Sequence, residues 1–331
     1  MVNVAIVGAT GMVGRTFLKI LEERKFPIDH LYLLASSKSK GQRIKFNNKE
    51  YIVEELTEDS FDKDIDIALF SAGGDISKKF APIAKEKGVI VVDNSSAWRM
   101  DENVPLIVPE VNPEEIKNHN GIIANPNCST IQSVVPLKPL DEKYNIKRVI
   151  YSTYQAVSGS GMAGMKDLED GIEGKEPKKY PHQIAFNCLP HIDIFMDNGY
   201  TKEEMKMIEE TKKILNNYQL KVTATTVRVP IRYGHCVSVN IEFEDEFNID
   251  DLISDLKNFE GIKIMDDPSE NIYPTALDVE GKDEVYIGRV RRDYSINNGI
   301  NLWVAADNIR KGAATNTVQI AELLVKEYFN K

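Results

Sequence analysis

The sequence predicts an α/β protein with two domains: a doubly wound parallel sheet at the N-terminus, and an α+β domain with a mostly antiparallel sheet. A chain of 331 residues exceeds what one small core usually holds. Short β-branched runs alternate with helical segments in the first part, which is typical of parallel sheets. Near residue 147 longer strands with period-two alternation begin, which is typical of a sheet that is polar on one face.

The first domain is predicted from six segments. Val2 to Val7 is a β-branched run at the very start of the chain. Val13 to Glu23 follows with apolar residues at helical spacing. The further predicted strands are His30 to Ala35, Ile65 to Ser71 and Val89 to Val92, with a helix over Ile76 to Lys87.

The second domain is predicted from alternating strands and intervening helices. Its predicted strands are Lys147 to Ala156, Val222 to Val229, Val237 to Phe243 and Val285 to Val290. Its predicted helices are Thr201 to Leu215 and Asp250 to Phe259. After Gly312, the pattern predicts a strongly amphipathic helix over Ala313 to Phe329.

Composition excludes several function classes. A formal net charge of −10 argues against nucleic acid as the main partner. No apolar run of about 18 residues predicts a membrane span, and the N-terminus lacks the pattern of a signal peptide. Three cysteines do not form a disulfide framework, so we expect a reducing, cytoplasmic location. CxxC and HExxH are missing from the sequence, so we expect no metal site.

A glycine-rich turn lies between the first predicted strand and helix. Gly8, Gly11 and Gly14 form a GxxGxxG variant of the dinucleotide fingerprint. Glycines permit a tight turn and close approach of the backbone, and the helix N-terminus offers N–H donors to a pyrophosphate. The alternative is a purely structural βα turn. The position of the turn favours a Rossmann-like domain.

The end of the second predicted strand indicates which dinucleotide binds. NAD-binding domains usually place a carboxylate there, for the ribose 2′-hydroxyl. This chain has none; Ser36, Ser37, Lys38, Ser39 and Lys40 offer hydroxyls and two lysines that suit a 2′-phosphate instead, which predicts NADP. The alternative is a solvated polar loop. A further loop, Ser71-Ala72-Gly73, ends the third strand and is expected to contact the same cofactor.

The stretch NPNCST, residues 125–130, places a thiol where a helix begins. Asn125-Pro126-Asn127 is typical of a turn, and the residues after Cys128 read as the first turn of a helix. A thiol there lies at the positive end of the helix, which favours the thiolate. Cys128 is therefore a candidate nucleophile, with a buried structural cysteine as the alternative.

Among five histidines, His235 has the context of a catalytic group. It follows the stretch VRVPIRYG and opens a predicted strand, so Arg228 and His235 are expected in one neighbourhood. An arginine can bind a carboxylate there, and a histidine can titrate. Cys236, the next residue in the strand, is expected to point to the opposite face.

Six motifs together resemble the bacterial type of aspartate-semialdehyde dehydrogenase. They are GATGMVG at the N-terminus, NPNCST, residues 155–161, residues 202–206, VRVPIRYGH and residues 307–314. The resemblance implies that Cys128 forms the acyl-enzyme and that His235 is the general acid/base. It implies that Gln155 orients the substrate, that Arg228 binds the α-carboxylate and that Glu203 binds the amino group. The phosphate site would be Arg99, Asn127 and Lys206, and further cofactor contacts would be Thr10, Gly11, Met12, Val13, Ser158, Gly159 and Asn308.

The resemblance implies NADPH-dependent reductive dephosphorylation of L-aspartyl 4-phosphate to L-aspartate 4-semialdehyde. This reaction lies in the pathway to lysine, threonine, methionine and diaminopimelate. We expect a homodimer, with residues 1–127 and 308–331 as the NADP-binding domain and residues 128–307 as the catalytic and dimerisation domain.

Alternatives remain at this stage. One is N-acetyl-glutamyl-phosphate reductase, which the acidic Glu203 disfavours, because a carboxylate suits a free ammonium better than an acetamide. Another is a non-catalytic NADP-binding regulator. From the residues alone, Glu203 and Lys206 also fit a surface ion pair, and Arg99 a surface arginine.

Overall fold

Two structural units are present in the computed structural model, which describes residues 1–329. The first consists of residues 1–126 and the described residues from 313 onward, and the second of residues 127–312.

In the first unit the strands are β1 (Val2–Val7), β2 (Ile28–Ala35), β3 (Arg43–Phe46), β4 (Lys49–Ile52), β5 (Glu54–Glu55), β6 (Ile67–Phe70), β7 (Ile90–Asp93) and β8 (Ile122–Ala124). Its first two helices are α1 (Met12–Glu23) and α2 (Gly74–Glu86).

The six-stranded sheet of the first unit has the order β5-β2-β1-β6-β7-β8, and all its neighbouring strands are parallel. β3 and β4 form a separate antiparallel hairpin. The chain therefore runs from β1 outward to β2 and β5, and then crosses back to β6 on the other side of β1. This is the doubly wound arrangement that the sequence predicts, and ligands of such sheets bind where the strand order reverses.

The core of the first unit explains why its strands are almost continuously apolar. Phe17 and Leu21 of α1 pack with Ile6 of β1 in one buried cluster. Both faces of the parallel sheet are covered, so β1 is buried at all six positions.

The second unit begins with the helix α3 (Cys128–Tyr144). Its strands are β9 (Ile146–Gln155), β10 (Lys221–Arg228), β11 (His235–Phe243), β12 (Ile262–Ile264), β13 (Val285–Asp293) and β14 (Gly299–Ala306). Its other helices are α4 (Gly161–Ile172), α5 (Lys202–Ile214), α6 (Ile249–Asn258) and α7 (Ala276–Val279). The sheet order is β10-β9-β11-β14-β13-β12.

The second sheet is mixed but mostly antiparallel. The three central pairings, β9–β11, β11–β14 and β13–β14, are antiparallel, whereas the outer pairings β9–β10 and β12–β13 are parallel. The fold class predicted from the sequence is confirmed in both units. Because β9 and β10 run parallel in register, Gln155 and Arg228 are direct neighbours at the ends of their strands.

The C-terminal helix differs from its prediction. It begins at Arg310 with a π-helical turn, continues as α8 (Asn316–Leu324) and ends with a second π-helical turn over Val325–Phe329. The predicted helix over 313–329 is present, but residues 313–318 are all buried, so its first part has no exposed polar face. Periodicity alone missed this, because the polar side chains Thr315, Asn316 and Thr317 are also buried. Over the described residues, the structure has no helix long and apolar enough to cross a membrane.

Candidate active site

The predicted start of α3 at Cys128 is observed. Asn127 is the N-cap, and its side-chain oxygen accepts hydrogen bonds from the backbone N–H groups of Ser129, at 2.9 Å, and Thr130, at 3.3 Å. The half-buried Cys128 is the first residue of the helix. Its thiol therefore lies at the positive end of a 17-residue helix, where a thiolate is favoured.

Glu203 is the centre of a buried hydrogen-bond network. Its Oε1 accepts from Asn127 Nδ2 at 2.9 Å and from Gln155 Nε2 at 3.0 Å. Its Oε2 accepts from Lys206 Nζ at 3.0 Å. Burial raises the pKa of Glu203, but the Lys206 ammonium and these hydrogen bonds outweigh it and lower the pKa to about 2. The network therefore holds an ionised carboxylate beside Asn127, the N-cap of α3.

Lys206 lies between two carboxylates. Its Nζ donates to Asp193 Oδ2 at 2.8 Å as well as to Glu203. Burial lowers the pKa of Lys206, but the two carboxylates outweigh it, so the net shift is upward and the ammonium stays charged. The expected pairing of Glu203 and Lys206 at i,i+3 is observed, but with Glu203 buried rather than exposed.

A second carboxylate of α5 anchors the same turn. Glu210, 1% exposed, accepts a 2.6 Å hydrogen bond from the backbone N–H of Asn127 through Oε2. Glu203 and Glu210 are seven residues apart, so two turns of one helix face present both carboxylates. The side chain and the backbone of Asn127 are thus both fixed by α5.

Arg228 is the last residue of β10, and its guanidinium group is only partly hydrogen-bonded. Nη1 donates to the carbonyl oxygen of Ala156 at 2.6 Å. The buried Nε has no hydrogen-bond partner within residues 1–329. The side chain is 4% exposed, and leaving a charged donor without a partner there is costly. This arrangement suits an anionic ligand.

His235 opens β11 and is fully buried. Its Nδ1 accepts a 3.0 Å hydrogen bond from the backbone N–H of Ala156. In the described part of the chain, its Nε2 has no hydrogen-bond partner. Burial, and then the positive charge of Arg228, lower the pKa of His235 to about 3.

Cys236 packs away from this site. It lies in a cluster with Val279, Tyr286 and Ala305, as alternation along the strand predicts. Burial raises the pKa of the Cys236 thiol to about 12. Both its packing and its raised pKa disfavour Cys236 as a nucleophile.

The loop after β9 adjoins both Arg228 and His235. A Cβ added to Gly159 would lie 3.0 Å from Arg228 Nη1 and 3.4 Å from His235 Nε2. Ser158 Oγ accepts from Asn308 Nδ2 at 3.0 Å, while Asn308 Oδ1 accepts from the backbone of Gly234 at 3.0 Å. Ser158, Gly159 and Asn308 thus border the Arg228–His235 pair.

The predicted dinucleotide turn has the geometry that a pyrophosphate needs. Gly8 has φ +89°, and a Cβ on it would meet the carbonyl group of Ser71 at 2.9 Å. The N-cap of α1, Gly11, makes no side-chain capping hydrogen bond, so a ligand can use the helix N–H groups. These contacts join the glycine turn after β1 to the loop after β6.

The other predicted cofactor residues surround this turn. Thr10 Oγ1 lies 3.2 Å from Ser39 Oγ, so the loop after β2 reaches the glycine turn. Ser36, Ser37 and Lys38 are exposed there. Met12 and Val13 form the first turn of α1, and Ala72 and Gly73 lie between β6 and α2.

Arg99 belongs to the first unit and is buried rather than exposed. Its Nε donates to the carbonyl oxygen of Asn125 at 2.9 Å, and its Nη2 to that of Asn94 at 3.0 Å. These hydrogen bonds fix the loops that follow the carboxyl ends of β7 and β8. The phosphate-binding role of Arg99 stays a prediction.

Metal-ligating side chains do not cluster in residues 1–329: no three His, Cys, Asp or Glu residues could together hold an ion.

Comparisons with known proteins identify the family to which this chain belongs. Residues 3–119 match the model "Semialdehyde dehydrogenase, NAD binding domain", and residues 137–311 match "Semialdehyde dehydrogenase, dimerisation domain". The aspartate-semialdehyde dehydrogenase of Aquifex aeolicus is 58% identical over 98% of both chains. The chain belongs to the aspartate-semialdehyde dehydrogenase family.

Solved structures of this family agree with the fold. Aspartate semialdehyde dehydrogenase II of Vibrio cholerae, complexed with ASA, is 50% identical, covers 99% of each chain and has a TM-score of 0.96. The aspartate semialdehyde dehydrogenase of Candida albicans, solved with NADP, is 27% identical over 98% of each chain, with a TM-score of 0.79. The resemblance drawn from the sequence motifs is confirmed.

Three features of this aspartate-semialdehyde dehydrogenase-family site were missed from the sequence. Glu210 could have been found from its i,i+7 spacing to Glu203 on an amphipathic helix. Gly312 lies so close to Cys128 that no space remains for a Cβ at position 312; a glycine directly before the predicted C-terminal helix was the signal for it. The Ala156 N–H that bonds His235 carries no signal in the sequence, because every residue except proline has one.

Proposed function

We propose that the protein catalyses the reversible, NADPH-dependent reductive dephosphorylation of L-aspartyl 4-phosphate to L-aspartate 4-semialdehyde. The observation that carries the proposal is the buried pair of unpartnered nitrogens, Arg228 Nε and His235 Nε2, in the unit that also holds Cys128. These two nitrogens suit the carboxylate and the reacting carbonyl of one small anionic substrate.

The reaction proceeds through Cys128. Its thiolate attacks the acyl-phosphate carbon and phosphate leaves, which forms a thioester. NADPH supplies a hydride to that thioester. His235 then acts on the oxygen of the resulting hemithioacetal, and Gln155, fixed by Glu203, orients the substrate beside the thiol.

Substrate recognition follows from two charges. Arg228 Nε, with a neighbouring nitrogen of the guanidinium, binds the α-carboxylate. Glu203 is ionised, and within residues 1–329 its Oε2 accepts a hydrogen bond only from Lys206 Nζ, so a lone pair remains for the substrate ammonium. An N-acetylated substrate would place a neutral amide there. This supports the aspartyl substrate over N-acetyl-glutamyl phosphate.

NADP binds the first unit in this proposal. Gly8, Thr10, Gly11, Met12 and Val13 hold the pyrophosphate. Exposed groups of the loop after β2, foremost Lys38, receive the 2′-phosphate, because no carboxylate ends that strand. The Candida albicans relative was solved with NADP, which supports the same cofactor here. Ser71, Ala72 and Gly73 border this cofactor site.

The finer assignments follow from the family. We propose that Arg99, Asn127 and Lys206 bind the phosphate, that Ser158, Gly159 and Asn308 add cofactor contacts, and that the chain works as a homodimer. The match of residues 137–311 to a dimerisation domain supports the dimer. The three unbridged thiols support a reducing, cytoplasmic location.

A steady-state assay tests the proposal. Purified protein is given aspartate semialdehyde, phosphate and NADP, and formation of NADPH is followed. Parallel reactions contain NAD instead of NADP, or N-acetylglutamate semialdehyde instead of the substrate. Turnover only with the N-acetylated compound would identify the reductase alternative. Tight binding of NADP without turnover of either aldehyde would identify a non-catalytic regulator.

A further inference from the structure

We propose that Thr153 is a positioning residue for the side-chain amide of Gln155. Its hydroxyl donates to the side-chain oxygen of Gln155, which keeps an N–H of that amide directed at the substrate. The proposal rests on the proposed function, in which Gln155 orients the substrate beside Cys128. It adds a residue that none of the six sequence motifs contains.

Thr153 and Gln155 lie two positions apart on β9, so alternation along the strand directs both side chains to the same face. Thr153 Oγ1 donates to Gln155 Oε1 at 2.9 Å. Thr153 is 0% exposed and Gln155 is 1% exposed. Bulk water therefore does not compete for the amide, and its orientation depends on its partners in the protein.

The direction of every hydrogen bond in this row of contacts is fixed by the two ends of the row. At one end, the backbone N–H of Val227, which can only donate, bonds Thr153 Oγ1 at 3.3 Å. At the other end, Gln155 Nε2 donates to Oε1 of Glu203 at 3.0 Å. Glu203 has a pKa of about 2, and an ionised carboxylate can only accept. The Thr153 proton therefore points to Gln155, and the amide cannot be reversed.

One N–H of the Gln155 amide is left for the substrate. An amide nitrogen carries two protons, and within residues 1–329 it makes one hydrogen bond, to Glu203. Without the Thr153 hydroxyl, the buried amide oxygen would lose its donor, and rotation of the amide toward another donor would displace the second N–H. Thr153 thus acts on the substrate through Gln155 and does not need to touch it.

Valine and serine at position 153 separate the effect of the hydroxyl from that of side-chain shape. Thr153→Val keeps nearly the same shape without a hydroxyl, whereas Thr153→Ser keeps the hydroxyl. With aspartate semialdehyde, phosphate and NADP, we expect Thr153→Val to lower kcat about tenfold and Thr153→Ser to keep at least about half of it. The KM for NADP and the rate of Cys128 alkylation by iodoacetamide should stay constant in both variants.

Thr226→Val is the matched control. Thr226 is the cross-strand neighbour of Thr153 on β10 and is also 0% exposed. Its hydroxyl lies 3.5 Å from that of Thr201, so its loss should leave kcat unchanged. Circular dichroism confirms that each variant is folded. If Thr153→Val does not fold, Thr153→Ala takes its place with the same expected loss.

A double-mutant cycle with Gln155→Ala tests whether Thr153 acts through Gln155. The Gln155→Ala variant has no amide to orient, so adding Thr153→Val should change its remaining kcat less than about twofold. A loss as large as that in the wild-type background would mean that the hydroxyl supports the strand and not the amide, and would overturn the proposal.

Three other results would also overturn it. They are wild-type kcat in Thr153→Val, equal losses in the Val and Ser variants, and an equal loss in Thr226→Val. None of them affects the proposed function, which fails only if the wild-type protein does not turn over aspartate semialdehyde with phosphate and NADP.

Discussion

Gly312 packs against Cys128 so closely that a Cβ at position 312 would lie 2.9 Å from the Cβ of Cys128. The same atom would lie 3.3 Å from the Cys128 Cα and 3.4 Å from its carbonyl oxygen. A Cβ is fixed to the backbone and cannot rotate away, so either Gly312 or the first turn of α3 would have to shift. The absence of a side chain at position 312 therefore keeps the thiol in place.

Gly312→Ala should lower kcat about 10- to 100-fold, because a small displacement of a catalytic group costs that much. Alkylation of Cys128 by iodoacetamide should slow as well. Steady-state kinetics and mass spectrometry of the labelled peptide measure the two effects. Gly299→Ala is the control, since its Cβ would meet the flexible side chain of Ile296 at 2.4 Å, away from the site. Unchanged kinetics in Gly312→Ala would contradict the close packing.

Arg228→Lys should lower kcat/KM at least about tenfold, or roughly 1.4 kcal/mol of transition-state stabilisation. A lysine can replace the bond to the Ala156 carbonyl oxygen but not the planar pair of donors to a carboxylate. Arg232→Lys is the matched control, because Arg232 is exposed and pairs with Glu169 at 3.2 Å. Steady-state profiles of both variants, with circular dichroism to confirm folding, give the comparison. Wild-type activity in Arg228→Lys would remove the carboxylate site.

Glu210→Ala should lower both stability and activity. The buried N–H of Asn127 loses its acceptor, which costs about 1 to 3 kcal/mol in the free energy of unfolding. The turn before Cys128 loosens, so kcat should fall while the KM for NADP stays constant. Chemical denaturation and kinetics measure these effects. Glu209→Ala, one position away on the exposed side of α5, should change neither; equal effects in the two variants would argue against the anchor.

Glu203 should make folding stability depend on acid pH. Its pKa in the folded protein, about 2, is below the ordinary 4.5, because Lys206, Gln155 and Asn127 outweigh the effect of burial. The stabilisation is therefore complete above pH 4.5 and is lost as the pH falls toward 2. By about pH 3.5 the wild type should lose about 1 kcal/mol more than Glu203→Gln. Urea unfolding at pH 7 and pH 3.5 tests this, and parallel losses in the two proteins would contradict it.

Lys38→Ala should lower the NADP/NAD ratio of kcat/KM roughly tenfold, as expected for one lost bond to a charged group. Lys38 is preferred to Lys40, because Lys40 already lies 3.5 Å from Glu55. Lys45→Ala, on the exposed side of the β3–β4 hairpin, controls for the change of net charge. An unchanged ratio in Lys38→Ala would mean that the 2′-phosphate is bound elsewhere.

Local signals in the sequence predicted many features of the fold and some features of the candidate site. Strand alternation, glycine spacing and turn residues act over a few positions, so they predicted both sheets, the dinucleotide turn and the helix start at Cys128. The sequence predicted the C-terminal helix but not the burial of its polar residues Thr315, Asn316 and Thr317, because burial by tertiary packing has no local periodic signal. The roles of Gln155, Glu203 and Lys206 came from the family resemblance, not from spacing.

The sequence by itself determined which chemical groups are present and the order in which the strands and helices present them, because both depend on neighbours along the chain. Only the tertiary structure decided the electrostatics of the site. It brings Asn127, Gln155 and Glu203 into one buried network although 76 residues separate Asn127 from Glu203. It also directs the Ala156 N–H at Nδ1 of His235, although 79 residues separate the two along the chain. Protonation depends on burial and on charges a few ångströms away, and these distances exist only in the folded chain.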